Sequence, residues 1–179
     1  MTGRPVGGPA LIVVSGPPGS GKTTVAHVLA RELGCPAICR DEIREGVVRA
    51  GTPDPGLRHT FETFFEVLTL LARAGVTTVA EAAFQDRLWR PGLESLAAAA
   101  RIRVIRCTVD AAVARARIVH RLATQANRAA HDDAGLLRAM DAGVTTWQPI
   151  ALDLPTLTVD TTDGYSPALT DIVAFASAR

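Results

Sequence analysis

The sequence predicts an α/β fold in which a five-stranded parallel sheet carries helices on both faces. Five short apolar segments alternate along the chain with longer segments of helical periodicity, as in repeated strand–helix–strand units. The chain has 179 residues, enough for one domain that buries its own core without disulfides or structural metals. We therefore expect a loose, Gly- and Pro-rich tail over 1–9 and a single domain over 10–179.

The predicted strands are short and mostly apolar, and the first is a continuous apolar run of the kind that is buried on both faces. They cover 10–15, 35–40, 76–80, 101–109 and 154–160. In the fourth strand, basic and apolar residues alternate from Arg101 to Val104, which predicts a position nearer the edge of the sheet. Pro155 is compatible with the fifth strand because it stands at the start.

Helices are predicted where apolar residues recur every three or four positions. They cover 23–33, 42–50, 57–74, 93–100, 110–121, 135–142 and 166–176, with 82–90 as loop and turn. Gly34 and Gly75 are suitable C-terminal caps for the first and third helices. In the third helix Phe61, Phe64 and Leu68 fall on one stripe, which we expect to face the core. The same helix could wall a compact pocket.

A glycine-rich loop between the first strand and the first helix carries the most specific motif. It reads Gly16-Pro17-Pro18-Gly19-Ser20-Gly21-Lys22-Thr23-Thr24 and fits the pattern G-x-x-x-x-G-K-[ST]. Glycines let the backbone turn tightly and point successive N–H groups inward, where they and the following helix N-terminus hold phosphate oxygens. Lys22 is the only lysine among 19 basic residues. It is predicted to reach the β and γ phosphates of a nucleotide, and the Thr23 hydroxyl to hold Mg²⁺.

Two acidic residues, Asp41 and Glu81, follow the second and third predicted strands. Ligands of open parallel sheets bind at the carboxyl ends of the strands, so both acids should lie on the same rim as the glycine-rich loop. Asp41 is a candidate general base and metal ligand, with the alternative that it only caps the helix 42–50. Glu81 could orient a Mg²⁺-bound water or a substrate hydroxyl, with the alternative of a helix-capping or ion-paired glutamate.

An arginine-dense segment begins in the helix 110–121. Its four arginines are Arg115, Arg117, Arg121 and Arg128. Helical spacing puts Arg117 and Arg121 on one face, where an anion would relieve the repulsion between two like charges. The alternative is a solvated face whose arginines pair with acids such as Asp132 or Asp133.

The composition favours a small-molecule partner over nucleic acid or a membrane. The formal net charge is +1 and aromatic residues make up 4% of the chain, which does not indicate a nucleic-acid surface. No apolar run approaches membrane-spanning length and no secretory signal precedes the domain, which predicts a cytoplasmic protein without membrane contact. Cys35, Cys39 and Cys107 have the spacing of neither a zinc site nor a C-x-x-C redox pair, so we expect reduced, buried thiols.

The glycine-rich loop and the run Arg40-Asp41-Glu42-Ile43-Arg44 together resemble the P-loop kinases of the AAA-33 or zeta-toxin-like group, which includes the kinase half of bacteriophage polynucleotide 5′-kinase. The resemblance extends more loosely over 10–163. It implies a three-layer P-loop NTPase fold with sheet order 2-3-1-4-5 and an arginine-rich lid over about 115–133. It further implies that Asp41 is the general base and that Arg44 binds a substrate phosphate. The implied lid arginines are Arg117, Arg121 and Arg128.

Together, these residues predict an ATP- and Mg²⁺-dependent kinase that transfers the γ-phosphate to a hydroxyl of a small molecule. The predicted catalytic residues are Lys22, Asp41, Arg44 and Arg121. The predicted ligands are 16–24, Arg117 and Arg128 for ATP, and Thr23, Asp41 and Glu81 for Mg²⁺. A polynucleotide 5′-hydroxyl kinase and a non-catalytic, NTP-gated regulatory module are the alternatives. The sequence leaves open the acceptor, the choice between ATP and GTP, the catalytic lid arginine and the oligomeric state.

Overall fold

The computed structural model of the chain describes residues 8–53, 56–124, 132–144 and 147–178, so most of the predicted tail lies outside the described residues. Within these ranges the strands are β1 (Ala10–Ser15), β2 (Ala37–Cys39), β3 (Thr78–Glu81), β4 (Arg101–Thr108) and β5 (Thr156–Asp160). The helices are α1 (Lys22–Leu33), α2 (Arg40–Arg49), α3 (Gly56–Arg73), α4 (Asp86–Ala97), α5 (Ala111–Thr124), α6 (Asp133–Asp141) and α7 (Leu169–Ser177).

The five strands form one sheet in the order β2-β3-β1-β4-β5, and each neighbouring pair is parallel. This confirms the predicted α/β fold and the strand order that the family resemblance implied. The central strand β1 is buried along its whole length. Val14 of β1 and Cys39 of β2 both lie beside Glu81 of β3 in the register. The carboxyl ends of these three strands are therefore level, and the loops that follow them meet on one rim.

Alternate residues of β1 contribute to two hydrophobic cores, one on each face of the sheet. The core on one face contains residues of β1, α3 and α4, among them Leu11, Val13, Phe64, Leu68 and Leu93. The core on the other face contains residues of β1, α1 and α7, among them Ile12, Val14, Leu29 and Ile172. Burying each large apolar side chain stabilises the fold by about 1.5–3 kcal/mol. Phe64 and Leu68 are fully buried, which confirms that the apolar stripe of α3 faces the core.

The position of β4 agrees with the prediction that this strand lies nearer the edge of the sheet, because β4 is next to the edge strand β5. β4 pairs with both β1 and β5, and the edges of the sheet are β2 and β5. Its basic residues are accommodated because long side chains can lie along apolar surface and place their charge at the boundary. The Arg103 guanidinium lies 5.2 Å from the centre of the Phe175 ring. Arg106 Nη2 donates to the carbonyl of Ile150 at 3.4 Å.

The helix α4 begins at Asp86, so the prediction of a loop over 82–90 is wrong for its second half. Pro91 lies inside α4 and lowers the local helix propensity, which is why the sequence signal was weak. Trp89 and Leu93 are both buried against the α3 side of the sheet. Tertiary packing therefore outweighs the local preference of this segment.

Two expectations from composition concern the cysteines and the membrane. Cys35, Cys39 and Cys107 are free thiols; the latter two are buried, whereas Cys35 is half-buried. In the part of the chain that the structure describes, no helix is both long enough and apolar enough to cross a membrane.

Candidate active site

The loop that joins β1 to α1 has no room for a side chain at Gly16 or Gly19. A Cβ on Gly16 would lie 2.7 Å from the carbonyl oxygen of Cys107 in β4. A Cβ on Gly19 would lie 2.7 Å from the carbonyl oxygen of Ala114 in α5. Gly19 also has a φ of 79°, in the left-handed region that glycine adopts without strain. The loop therefore packs its backbone directly against its neighbours.

Hydrogen bonds fix the loop and leave the start of α1 open. The amide of Ser20 donates to the carbonyl of Pro17 at 3.2 Å, and the Thr161 hydroxyl donates to the carbonyl of Ser20 at 2.9 Å. Gly21 is the N-cap of α1 and supplies no side-chain cap, so the first N–H groups of the helix lack intrahelical acceptors. These N–H groups and the positive end of the helix dipole can hold an anion.

Lys22, Thr23 and Glu81 meet beside this helix start. Thr23 Oγ1 donates to Glu81 Oε2 at 3.2 Å, and Lys22 Nζ lies 3.9 Å from Glu81 Oε1. Glu81 is only 2% exposed. Burial raises the pKa of its carboxyl, the Lys22 ammonium opposes that rise, and the negative charge of Asp41 adds to it. A further cation next to Glu81 would therefore be favourable.

This group of donors fits a magnesium ion. Mg²⁺ takes oxygen ligands and is usually held by one or two carboxylates together with substrate phosphates. The hydroxyl of Thr23 and the buried carboxylate of Glu81 supply such oxygens in direct contact with each other. Asp41, the third predicted ligand, lines the same cavity as both of them. Which of these residues bind the metal stays a prediction.

The helix α2 begins at Arg40 with Cys39 as its N-cap, which puts Asp41 in the first helical turn. The alternative in which Asp41 caps this helix is therefore wrong. A carboxylate in the first turn is favoured by the helix dipole. Arg40 Nη1 donates to Asp41 Oδ1 at 3.0 Å and orients that carboxylate. Arg40 Nε is buried and has no hydrogen-bond partner among the described residues.

Two adjoining cavities lie on this rim. The first has a volume of about 530 Å³ and is lined by Gly19, Gly21, Lys22, Thr23, Thr24, Asp41, Glu42, Glu45, Glu81, Arg117, His120, Arg121 and Thr124. The second has a volume of about 270 Å³ and is lined by Pro18, Lys22, Thr23, Arg40, Asp41, Arg44, Leu57, Ala83, Trp89, Arg121, Asp132, Asp133 and Leu136. Four side chains are common to both: Lys22, Thr23, Asp41 and Arg121.

The two arginines of α5 are held in different ways. Arg117 donates to the carbonyls of Gly19 and Thr161, so it ties α5 to the glycine-rich loop. Arg121 makes a two-fold ion pair with Asp133 of α6, with nitrogen–oxygen distances of 2.7 and 3.0 Å. The structure thus contains the predicted alternative for Arg121, in which this arginine pairs with an acid. Arg128 lies outside the described residues.

Of three residues that shape this site, sequence reasoning assigned no role to Arg40 and Thr161, and named Asp133 only as one of two acids that could pair with the arginines. Arg40 orients Asp41, Asp133 holds Arg121, and Thr161 bonds to the loop that it faces. Arg40 and Thr161 both stand next to the end of a strand, a position that could have singled them out. Asp133 had been named only as a general partner for the arginines, because the distance along the chain from Arg121 gives no signal of contact.

Comparisons with known proteins agree with the observed fold. A solved structure of a proposed kinase from Chloroflexus aurantiacus is 26% identical, with a TM-score of 0.76 over 93% of this chain and 96% of that one. The APS kinase of Mycobacterium tuberculosis, solved with AMPPNP and APS, is 17% identical and has a TM-score of 0.65. That match covers 96% of this chain and 99% of the APS kinase, and it shows a shared fold.

An adenylate kinase from Chlamydia pneumoniae is 38% identical over 45 residues, which make up 25% of this chain and 21% of that enzyme. The chain thus matches about a fifth of the length of that relative. The resemblance to bacteriophage polynucleotide 5′-kinase is not among these findings and stays a prediction. The chain has the fold of P-loop kinases. The model of the AAA_33 family, described as an AAA domain, matches residues 11–143, which is well over half of the sequence, and the chain belongs to this family.

Proposed function

We propose that the protein is an ATP- and Mg²⁺-dependent kinase that phosphorylates a hydroxyl of a small molecule. The observation that carries this proposal is the junction of two cavities at Lys22, Thr23, Asp41 and Arg121. A phosphoryl donor in the first cavity and an alcohol in the second would meet at these side chains. In-line transfer needs such a junction, since donor, acceptor, a proton-accepting group and cationic groups must be held together.

The first cavity suits a nucleoside triphosphate. Its volume of about 530 Å³ lies within the range of ordinary ligand sites. The glycine-rich loop and the start of α1 would bind the phosphates, with Lys22 on the β and γ oxygens. Bound Mg²⁺, held by Thr23 and Glu81, would neutralise charge on the same phosphates. The AMPPNP complex of the APS kinase supports ATP as the donor.

Asp41 would act as the general base. Its carboxylate accepts the proton of the acceptor hydroxyl while the hydroxyl oxygen forms a bond to the γ-phosphorus. The bond from that phosphorus to the β–γ bridging oxygen breaks, and ADP leaves with the electron pair. General-base catalysis contributes about 10²–10⁴-fold to a rate. Lys22 and Arg121 would supply the remaining charge stabilisation on the transferring phosphoryl group.

The second cavity suits a small acceptor with an anionic group. Its volume is about 270 Å³, just below the range of about 300–1,000 Å³ that is usual for sites of drug-sized ligands. Four cationic side chains line it, namely Lys22, Arg40, Arg44 and Arg121, against the three acids Asp41, Asp132 and Asp133. Leu57 and Trp89 give it apolar walls. Arg44 would bind the anionic group and hold the hydroxyl near Asp41. The size of the cavity favours a small molecule over a polymer.

The experiment that tests the proposal is ADP formation by the purified protein with ATP, Mg²⁺ and a panel of acceptors. The panel contains sugars, sugar acids, nucleosides, APS and 5′-hydroxyl oligonucleotides. We expect one class of small hydroxyl compound to raise ADP formation and to appear as a phosphorylated product. ATP binding without transfer to any acceptor would instead favour the NTP-gated regulatory module.

Asp41→Asn tests the assignment of the base. We expect ATP affinity to persist while turnover falls about 10²–10⁴-fold, because the amide cannot accept the proton. Asp153→Asn is the matched control, since Asp153 is an exposed aspartate that lines neither cavity. Undiminished phosphoryl transfer by Asp41→Asn would reject Asp41 as the base. An equal loss in both variants would point to a general effect of the substitution.

A polynucleotide 5′-hydroxyl kinase is the second candidate, and the presence of Arg40 and Arg44 beside Asp41 favours it. These cations could bind a phosphate of the acceptor strand. Binding to several phosphates falls steeply as salt concentration rises, whereas binding of a small acceptor changes much less. A 5′-hydroxyl oligonucleotide that outcompetes every small molecule, with affinity that falls steeply with salt, would select this candidate.

A further inference from the structure

Three potential metal ligands converge where α1, β2 and α2 meet. His27 Nε2 lies 2.6 Å from Glu42 Oε1 and 3.6 Å from Cys39 Sγ. The three donor atoms all lie within 4.8 Å of one another. Among the residues that the structure describes, no other three His, Cys, Asp or Glu side chains meet in this way. The cluster shares no residue with Thr23 and Glu81 of the proposed magnesium site, but the Cys39 thiol is hydrogen-bonded to the Glu81 side chain, so the two groups of donors adjoin each other.

The donors are arranged by depth. Cys39 is the last residue of β2 and is 2% exposed, so its sulfur forms the floor of the cluster. The side chains of His27 and Glu42 are 50% and 49% exposed and form a mouth open to solvent. A cation from solution would therefore meet imidazole and carboxylate first and thiol below them. Imidazole, carboxylate and thiolate are the three ligand types that zinc takes in proteins.

One of the separations between these donors already matches a tetrahedral zinc site, and another would have to lengthen. Zinc bonds of about 2.0 Å to nitrogen and oxygen and 2.3 Å to sulfur place nitrogen and sulfur about 3.5 Å apart, and nitrogen and oxygen about 3.3 Å apart. The separation of His27 Nε2 from Cys39 Sγ, 3.6 Å, already matches. His27 and Glu42 are now at hydrogen-bond distance, 2.6 Å, and would have to separate. Both side chains are half-exposed, so a small rotation of either allows it.

We propose that His27, Cys39 and Glu42 form a binding site for Zn²⁺ or a similar borderline divalent cation. Three protein ligands leave a fourth position for water or another ligand. Coordination releases the Cys39 thiol proton to solvent, as for any thiolate ligand. The sulfur and nitrogen donors favour zinc over the magnesium that the kinase reaction uses, because Mg²⁺ prefers oxygen ligands alone. The competing explanation is a hydrogen-bonded cluster that only joins α1 to α2.

The proposed zinc site adjoins the first cavity. Glu42 is a ligand of the proposed zinc site and also lines that cavity. Asp41, its neighbour in the chain, lines both cavities. Zinc would thus hold a carboxylate at the wall of the first cavity. Sequence reasoning did not find this site, because zinc motifs are recognised from closely spaced pairs of ligands, and here the ligands come from three elements.

The test is a Co²⁺ titration of the full chain after treatment with a chelator, in a non-coordinating reductant and without nucleotide. We expect one Co²⁺ per chain, with the visible absorption of four-coordinate cobalt and a thiolate-to-cobalt charge-transfer band. Stoichiometric Zn²⁺ should remove these bands, whereas excess Mg²⁺ should not. A spectrum without the thiolate band would overturn the proposal in favour of the hydrogen-bonded cluster.

Variants assign the ligands. We expect Cys39→Ser to lose the thiolate band, and His27→Ala and Glu42→Gln to lower Zn²⁺ affinity at least tenfold, as measured by calorimetry. Cys35→Ser is the matched control, because Cys35 is a free thiol outside the cluster, and it should bind like the unmodified chain. His27 is exposed, so its variant should fold even if the buried Cys39→Ser variant does not. Unchanged affinity in His27→Ala, or a thiolate band lost in Cys35→Ser, would contradict the site. None of these measurements depends on kinase activity.

Discussion

The two cavities of the candidate site are built by different means. The first takes five of its residues from one contiguous stretch, the glycine-rich loop and the first turn of α1. The second takes its side chains from α1, α2, α3, α4, α5 and α6 as well as from loops. A cradle of backbone groups recognises phosphate, which all nucleoside triphosphates share. In a cavity walled by side chains, substitution of a single residue changes the shape and charge of the cavity. We therefore expect the side chains of the second cavity to determine which acceptor is bound.

Arg121 lines both cavities, and its replacement should have the largest effect. We expect Arg121→Ala to lower kcat about 10³-fold or more with little change in ATP affinity, because such an arginine stabilises charge that develops in the transition state. Steady-state kinetics and direct nucleotide binding measure the two quantities. Arg115→Ala is the matched control. Arg115 lies on the surface of the same helix as Arg121, pairs with Asp141 of α6 and lines neither cavity. A loss explained entirely by weaker ATP binding would assign Arg121 to the first cavity alone.

Asp133 should affect turnover indirectly, by holding the Arg121 guanidinium in place. Its side chain is 6% exposed and bonds to the Arg121 guanidinium through both carboxylate oxygens. We expect Asp133→Asn to lower kcat less than Arg121→Ala does, because the arginine remains but is no longer oriented. In the double variant Arg121→Ala/Asp133→Asn, the second change should add little further loss in kcat.

A double-mutant cycle on kcat measures this coupling, for which directly interacting residues give about 0.5–3 kcal/mol. Fully additive losses in kcat would mean that Asp133 acts independently of Arg121. A rise in turnover in Asp133→Asn would mean that Asp133 restrains the arginine instead of positioning it.

The phosphate-loop side of the first cavity could be predicted from the sequence because its determinants are local. The loop 16–24 is one contiguous motif, and Glu81 ends a strand that the apolar pattern had located to within two residues. The parallel-sheet rule then brings loop and acid to one rim without any knowledge of side-chain packing. The position of Asp41 on this rim was predicted by the same rule, although the start of its helix was predicted two residues too late.

The second cavity could be predicted only in part: its lining contains Arg44, which the family resemblance singled out, and Leu57 of the helix that was expected to wall a pocket. Leu57 and Leu136 meet there only because α3 and α6 pack on the same rim, and no periodic pattern in the sequence specifies that arrangement. Trp89 falls in the predicted loop 82–90, because Pro91 weakens the helical signal over the first turns of α4. The partner of Arg121 was one of two neighbouring acids, and only the fold selects Asp133.

Gly16 and Gly46 test how rigid the backbone cradle is. A Cβ on Gly16 would lie 2.6 Å from Ser20 Oγ and 2.7 Å from the carbonyl oxygen of Cys107, so we expect Gly16→Ala to lower the free energy of unfolding by about 1–3 kcal/mol. It should also weaken ATP binding. Gly46 lies inside α2 with nothing within 4 Å of an added Cβ. Gly46→Ala should therefore raise the free energy of unfolding by about 0.5–1 kcal/mol.

Denaturant unfolding and nucleotide titration of both glycine variants provide the measurements. The main result is that the free energy of unfolding should fall in Gly16→Ala and rise in Gly46→Ala, although the chemical change is the same in both variants. Equal stability of Gly16→Ala and the unmodified chain would show that the loop can move away from β4. The backbone of the first cavity would then not be rigid, and the two cavities would not differ in the way proposed above.

The smallest expected effect concerns Asp86, whose side chain joins α4 to the backbone of Ala151. The amide of Ala151 donates to Asp86 Oδ1 at 2.8 Å and Arg90 donates to Oδ2 at 2.9 Å. These hydrogen bonds, the backbone one first, lower the pKa of Asp86 below its usual value of 3.8. The resulting stability is present above the unfolded-state pKa and is lost as pH falls through the lower folded-state pKa.

Asp86→Asn should thus have a slightly lower melting temperature than the unmodified chain at neutral pH, and this gap in melting temperature should close in strong acid. Thermal melts from pH 7 down to about pH 2 follow that gap across the titration. A gap that stays constant over this range would mean that the charge of Asp86 contributes nothing, and that α4 is held against the sheet by apolar packing alone.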